Sequence, residues 1–153
     1  MKKMKKILVL IIMAGLGGCI YDQFNDQLTV TNKTNRKVSV LYSSDLGVDT
    51  TKNNVAFYID DRNVLMPDST LRYSTWGGER AWHQYIEEGK RKRLFFAFFE
   101  TETLKKYEHS YTMNQMMDYK LYFKLDSYTA EELDKMGWNV VVRESKIPAP
   151  TAE

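Results

Sequence analysis

The sequence predicts an α+β fold of mainly antiparallel β-structure, with about seven strands and two or three short helices. Three observations support this prediction. Apolar and polar residues alternate with a period of two in several segments, as they do in half-buried strands. Aromatic residues make up 13% of the chain, which favours strands over a helical bundle. Two Thr-x-x-Gln/Glu patterns are typical of helix starts. We expect the strands to form a sandwich or one strongly twisted sheet.

The first two strands are predicted at Leu28–Asn32 and Lys37–Tyr42, where β-branched and aromatic residues alternate with polar ones. The polar cluster Asn32–Asn35 between them indicates a turn, so we expect a β-hairpin. A third strand is predicted at Val55–Ile59, followed by a turn over Asp60–Asn63. A fourth covers Leu71–Trp76 and ends at Gly77-Gly78.

The middle of the chain changes period. Trp82, Tyr85 and Ile86 have helical spacing, so a helix is predicted over Glu79–Gly89. The unbroken apolar run Leu94–Phe99 then indicates a central strand that is covered on both faces.

The last third of the chain contains two capping boxes. Thr112–Gln115 and Thr129–Glu132 each match the pattern that begins a helix, and Thr103–Tyr107 predicts about one further helical turn. The two remaining strands are predicted at Leu121–Leu125 and Trp138–Val142 from their alternating apolar residues.

The chain is expected to divide into four segments. Residues 1–18 are predicted to be a signal peptide, and residues 19–26 a lipidated cysteine and its tether. Residues 27–143 form a single globular domain of ordinary size. Residues 144–153 contain Pro148 and Pro150 and no core residues, and are predicted to be a flexible tail.

The N-terminal segment has the pattern of a secretory leader. Lys2, Lys3, Lys5 and Lys6 precede the apolar run Ile7–Met13, which is much shorter than the roughly 20 residues that a transmembrane helix needs. Small residues follow, and then the only cysteine of the chain.

The residues Leu16-Gly17-Gly18-Cys19 resemble the lipobox of bacterial lipoproteins. This resemblance implies cleavage before Cys19 and attachment of a diacylglyceryl group to its sulfur. Two or three acyl chains anchor a protein durably in a membrane. The alternative is an ordinary signal cleavage site beside an unmodified cysteine.

Charge and cysteine content exclude several functions. Four of the 22 basic residues and none of the 20 acidic residues lie in the predicted leader, so the remaining chain is slightly acidic. Nucleic-acid binding needs a basic surface to neutralise phosphates, and we expect no nucleic-acid partner. Because the single cysteine belongs to the lipobox, neither a disulfide nor a thiol nucleophile is predicted.

No catalytic or metal-binding pattern is found in the sequence. The two histidines, His83 and His109, have no second ligand at metal-binding spacing. No serine has the glycine neighbours of a nucleophile elbow, and adjacent carboxylates such as Glu131-Glu132 are explained by the start of a helix. We predict no enzyme activity, no catalytic residue, no metal site and no cofactor.

Two clusters remain as candidates for binding. Trp76, Trp82 and Tyr85 flank a glycine pair and could stack on a sugar ring or contact a partner protein; alternatively, they close one end of the core. The run 90–93 (KRKR) could bind phosphate, but without a second basic cluster a solvated turn is favoured.

The segment FFAFFETETLKKY followed by DYKLYFKLDSYTAEELDKMGWNVVV resembles a large group of small, uncharacterised envelope lipoproteins from the Bacteroidetes lineage. The shared pattern is an aromatic strand, a short helix, a tyrosine-rich strand, a T-x-E-E-L helix and a tryptophan strand. The resemblance covers roughly Leu94–Val142 here, together with the lipobox and the first predicted hairpin. The resemblance implies a location and a fold but no chemistry.

These inferences predict a lipid-anchored, non-catalytic protein of the cell envelope, at the outer membrane with the face left open. Its domain is expected to bind a glycan or an envelope protein. The first alternative is a structural or assembly accessory lipoprotein of a larger complex, and the second is an envelope hydrolase.

Overall fold

A computed structural model of the chain describes residues 24–45 and 53–144. The predicted signal peptide, Cys19 and residues 145–153 of the predicted tail lie outside the described residues. Twelve elements lie within them: β1 (Phe24–Lys33), β2 (Val38–Ser43), α1 (Val55–Ile59), β3 (Val64–Leu65), β4 (Thr70–Trp76), α2 (Ala81–Glu88), β5 (Leu94–Glu100), α3 (Thr101–Tyr107), α4 (Met113–Asp118), β6 (Lys124–Tyr128), α5 (Ala130–Lys135) and β7 (Asn139–Arg143).

The strands form two sheets. One has three strands in the order β4-β1-β7, and the other has four in the order β3-β2-β5-β6. All neighbouring strands are antiparallel except β1 and β7, which run parallel. The predicted α+β class with mainly antiparallel strands is therefore confirmed, although the described residues contain five short helices where two or three were expected.

The described residues form three layers: the three-stranded sheet, the four-stranded sheet, and the helices α1, α3 and α4. An apolar cluster lies between each pair of neighbouring layers. The first cluster lies between the sheets and joins Leu28 and Val30 of β1 and Val140 of β7 to Phe96 and Phe98 of β5. The second covers the other face of the four-stranded sheet with side chains from three helices, namely Val55 and Tyr58 of α1, Leu104 of α3, and Met113 and Met116 of α4.

Strand β5 confirms the prediction of a central strand covered on both faces. It lies between β2 and β6, with Phe96 and Phe98 in the first cluster and Ala97 and Phe99 in the second. A strand that is buried on both sides has no polar face, which is why its sequence does not alternate.

The predicted hairpin between the first two strands is wrong. β1 pairs with β4 and β7, whereas β2 pairs with β3 and β5. β1 also begins at Phe24, within the predicted tether. The connecting cluster therefore carries the chain from one sheet to the other. Within it, the Asn32 side chain is fully buried and donates to the carbonyl oxygens of Arg36, Leu65 and Met66.

The predicted third strand is also wrong, since Val55–Ile59 forms helix α1. The Asn54 side chain caps it by accepting from the backbone N–H of Ala56 at 2.9 Å. Val55 and Tyr58, three residues apart, are its buried positions. The neighbour of β2 at the sheet edge is instead the two-residue strand β3, which pairs with Val38 and Ser39.

The C-terminal elements agree with the prediction, with shifted boundaries. Both capping boxes are present, at Thr112 for α4 and at Thr129 for α5. Strand β6 begins at Lys124 and not at Leu121, because Leu121 and Tyr122 pack against the helical layer.

Candidate functional site

The predicted aromatic site lies where β4 turns into α2. Gly77 and Gly78 have φ angles of +120° and +75°, which side-chain-bearing residues rarely adopt. A Cβ at Gly77 would also lie 3.3 Å from the Cβ of Ala81. The glycine pair therefore lets α2 fold back tightly beside the end of β4.

Asn25 fixes this junction to the start of β1. The side-chain amide of Asn25 donates to the backbone carbonyl oxygen of Glu79 at 2.6 Å. The backbone carbonyl oxygen of Asn25 accepts from the indole N–H of Trp82 at 3.1 Å. The beginning of β1, the end of β4 and α2 consequently lie at the same end of the molecule.

Trp82 is a core residue, so its prediction as a surface contact is corrected. Its side chain is 1% exposed and belongs to the cluster between the sheets, together with Ile86 four residues later. It meets Tyr42 and Tyr85 edge to face at centroid distances of 5.7 and 5.9 Å. For this residue the alternative, closure of the core, is the one observed.

Trp76 and Tyr85 line one groove. Trp76 ends β4 and is 68% exposed, whereas Tyr85 is half-buried and its hydroxyl accepts from the Ser44 N–H at 3.4 Å. The groove has a volume of about 350 Å³, and its remaining lining residues are Thr75, Gly77, Ala81, Gln84 and Glu88. The structure thus brings together two of the three predicted aromatic residues.

The groove combines an aromatic wall with polar groups. Gln84 and Glu88 lie one helical turn apart on α2, and the amide of Gln84 donates to the carboxylate of Glu88 at 2.7 Å. An exposed indole beside an amide and a carboxylate can stack on an apolar ring face and hydrogen-bond to hydroxyl groups.

A second concavity was not predicted from the sequence. It lies between β2, β4 and α1, with a volume of about 120 Å³, and its lining residues are Val40, Tyr42, Phe57, Tyr58, Arg62, Asn63, Leu71, Arg72 and Tyr73. Burial raises the pKa of the Tyr73 hydroxyl well above its ordinary value, with smaller effects from Tyr42 and Tyr58. One feature of the sequence could have indicated this concavity: tyrosines at inward-facing strand positions, where the hydroxyl needs a hydrogen-bond partner.

His83 takes part in a link between helices. Its Nε2 lies 3.0 Å from Oδ2 of Asp134, whose Oδ1 accepts from the indole N–H of Trp138 at 2.8 Å. These hydrogen bonds, His83 first, lower the pKa of the Asp134 carboxyl. The three side chains join α2, α5 and the residue that precedes β7. Within residues 24–45 and 53–144, no group of three His, Cys, Asp or Glu side chains could hold a metal ion.

The basic run 90–93 forms the turn between α2 and β5. Arg93 donates to Ser127 and Glu132, and the guanidinium of Arg91 lies 5.8 Å from the centroid of the Phe95 ring. Lys90 and Lys92 are exposed. This arrangement agrees with the favoured interpretation, a solvated turn.

Comparison of the chain with protein families, with curated proteins and with solved structures finds no match. In the part of the chain that the structure describes, no helix is long and apolar enough to cross a membrane.

Proposed function

We propose that this chain is a lipid-anchored, non-catalytic protein of the bacterial envelope, at the outer membrane, whose domain binds a glycan in the groove beside Trp76. The lipobox-like residues Leu16–Cys19 support the anchor. The exposed indole of Trp76 beside Gln84 and Glu88 is the observation that carries the glycan proposal.

The position of the groove fits such an anchor. Five residues lead from Cys19 to Phe24, and a chain of that length spans at most about 17 Å. Phe24 pairs with Trp76 across β1 and β4. A lipid on Cys19 therefore keeps the groove close to the bilayer, where the proposed ligand is a glycan presented near the membrane surface.

Substitution at the groove tests the glycan proposal. The full-length chain is screened on an array of envelope polysaccharides and oligosaccharides, and bound glycans are titrated against Trp76→Ala. Loss of stacking on an aromatic contact at the centre of a site should weaken binding about tenfold. Tyr119→Ala is the matched control, because Tyr119 is an exposed aromatic residue outside the groove. Equal binding by the two variants, or no bound glycan in the screen, contradicts this proposal.

The anchor is tested separately. Cells supplied with radiolabelled palmitate should label the protein, and Cys19→Ala should abolish the label and release the protein from the membrane fraction. An unlabelled protein, or a Cys19→Ala variant that stays with the membrane, would contradict the proposed lipid anchor. Neither result would bear on the proposed glycan groove.

The second candidate is an accessory protein that docks on a larger envelope complex. The observation that favours it is the pair of outer strands β4 and β7, which have no strand on their outer side within residues 24–45 and 53–144. Such edges can accept a strand from a partner. Extraction with mild detergent should then recover a stable partner, and hydrogen exchange should show added protection at β4 or β7 amides.

A further inference from the structure

One wall of the groove beside Trp76 is a single face of helix α2. The residues of this wall lie three or four positions apart along the helix, and they are Ala81, Gln84, Tyr85 and Glu88. Such spacing places side chains on the same side of a helix. The end of β4, with the exposed indole of Trp76, forms the other wall. The groove therefore has an aromatic face opposite a partly polar helix face.

The lining of this groove carries a negative charge. Glu88 is its only carboxylate, and no described residue of the lining is lysine, arginine or histidine. The Gln84 amide donates to the Glu88 carboxylate at 2.7 Å, and this hydrogen bond restrains the carboxylate along the helix wall. An anionic ligand would meet a like charge with no basic residue in the lining to balance it, whereas a cationic group would meet an opposite charge.

The indole of Trp76 favours a cation for an independent reason. The face of a tryptophan ring attracts an ammonium group that lies within about 6 Å of the ring centroid. The same face provides apolar area on which a sugar ring can stack. A ligand that has both a ring and an ammonium group therefore uses the indole and the carboxylate together.

The groove has room for such a ligand, and its polar groups are accessible. Its volume is about 350 Å³, which is more than twice the volume of about 150 Å³ of a cavity that holds benzene in another protein. A sugar ring with its substituents is larger than benzene and still fits. Gln84 and Glu88 are both exposed, so a ligand reaches them from solvent without movement of the walls.

We infer that the glycan bound beside Trp76 carries a free amino group: it contains an amino sugar whose ammonium group pairs with the Glu88 carboxylate. This inference rests on the proposed glycan function, and it makes Glu88 the residue that selects among sugars. N-acetylation converts the ammonium group into a neutral amide, so the acetylated form of the same sugar binds more weakly.

Sugars that differ only in acetylation of the amine test this inference. The methyl glycosides of glucosamine, galactosamine and mannosamine, and their N-acetylated forms, are titrated into the full-length chain in nanodiscs. The titrations are made at about pH 6, where such an amine is protonated. The NMR signal of the Trp76 indole N–H reports binding.

Two variants isolate the charge of the groove. Glu88→Gln removes the charge but keeps an oxygen that can accept from Gln84. Glu87→Gln is the matched control, because Glu87 is an exposed carboxylate of the same helix that does not line the groove. The melting temperature of each variant checks that the fold is kept.

The expected result is a preference that depends on Glu88. At least one free amino sugar should bind the unchanged chain and Glu87→Gln about threefold more tightly than its acetylated form, which corresponds to the strength of an exposed ion pair. This preference should disappear in Glu88→Gln and shrink as salt is raised to about 1 M. The inference is overturned if no free amino sugar is preferred, or if Glu88→Gln keeps the preference.

Failure of this inference is distinguishable from failure of the glycan function. If acetylated sugars bind as tightly as the free amino sugars, and both lose affinity in Trp76→Ala, the preference for an amino group is wrong and the glycan proposal stands. If no sugar binds in these titrations or in the array screen, both are contradicted.

Discussion

Asn32 joins the two sheets through a side chain that is fully buried. Its amide nitrogen donates to three backbone carbonyls, and its oxygen accepts from both the N–H and the hydroxyl of Thr34 at 2.9 and 2.7 Å. Every hydrogen-bonding atom of this amide is therefore used, and the chain is held in place as it crosses from β1 to β2.

We expect Asn32→Ala to lower the free energy of unfolding by about 1–3 kcal/mol, because buried backbone groups lose their partners. Urea denaturation measures the change. Asn35→Ala is the control, since Asn35 lies in the same connection but is exposed. If the two variants are equally stable, the Asn32 side chain does not support the crossover.

Individual residues differ in how far the sequence could predict them. Phe96 and Phe98 belong to an unbroken apolar run, so their burial followed from local sequence. Asn32 stands in a polar cluster of the kind that usually forms an exposed turn. Trp76 and Trp82 lie only six residues apart, yet one is 68% and the other 1% exposed. Contacts with Asn25 and Tyr42, distant in sequence, make that difference.

Among the elements, the helix starts were the most predictable. A capping box is a local interaction over four residues, and those at Thr112 and Thr129 are both present. Helix α1 was assigned to the wrong class, because in five residues the apolar positions Val55, Phe57 and Ile59 suggest a period of two. So short a segment does not separate strand from helix without its contacts to β2 and α3.

The capping box of α4 provides a prediction at this scale. Thr112→Ala should lower the free energy of unfolding by about 1 kcal/mol, since the Gln115 N–H loses its side-chain acceptor. Thermal or urea denaturation measures it. Thr112→Ser keeps the hydroxyl and should be close to the unchanged chain; a serine variant as unstable as the alanine variant would show that the threonine methyl group matters instead.

Strand β7 is predicted to be essential. It contributes Val140 and Val142 to the core between the sheets and is the parallel neighbour of β1. A chain that ends at Gly137 should therefore show no cooperative unfolding transition by circular dichroism. A chain that ends at Glu144 tests the predicted tail at the same time, and should keep the melting temperature of the full chain. A cooperative transition in the shorter chain would contradict the essential role of β7.

At the scale of the whole molecule, the fold class was predictable but the strand pairing was not. The balance of alternating and continuous apolar segments indicated a sheet-rich α+β domain. Which strands pair depends on contacts between residues far apart in the chain, such as Thr29 with Asn139. The groove needed the same long-range information, because Trp76 and α2 are brought together by the glycine junction and by Asn25.

Stability should also depend on pH in acid. Hydrogen bonds from His83 and Trp138 lower the pKa of the Asp134 carboxyl. A hydrogen bond from the Thr129 backbone N–H, and secondly the charge and hydrogen bond of Arg93, lower the pKa of the Glu132 carboxyl. Each carboxylate stabilises the folded state above its unfolded pKa of about 4, and this contribution is lost as the pH falls through the lower, folded value. The melting temperature should therefore change little between about pH 7 and 5 and fall below about pH 4.

The matched variant is Asp134→Asn, which keeps an acceptor for Trp138 but cannot ionise. Its melting temperature should be lower than that of the unchanged chain at pH 7, and the difference should shrink as the pH falls. Glu87→Gln, at an exposed position on α2, should leave the pH profile as it is. A difference between Asp134→Asn and the unchanged chain that stays constant with pH would exclude the carboxylate charge as its cause.

The parallel pairing of β1 with β7 has a consequence for how the protein is made. Synthesis runs from the N-terminus, so β1 leaves the ribosome more than a hundred residues before the strand that completes its sheet. Contacts of such long range slow folding, and until they form β1 presents an open edge to other chains. If the chain is exported as proposed, it must cross the inner membrane before this sheet closes. A holding chaperone that covers β1 would then protect the precursor during that interval.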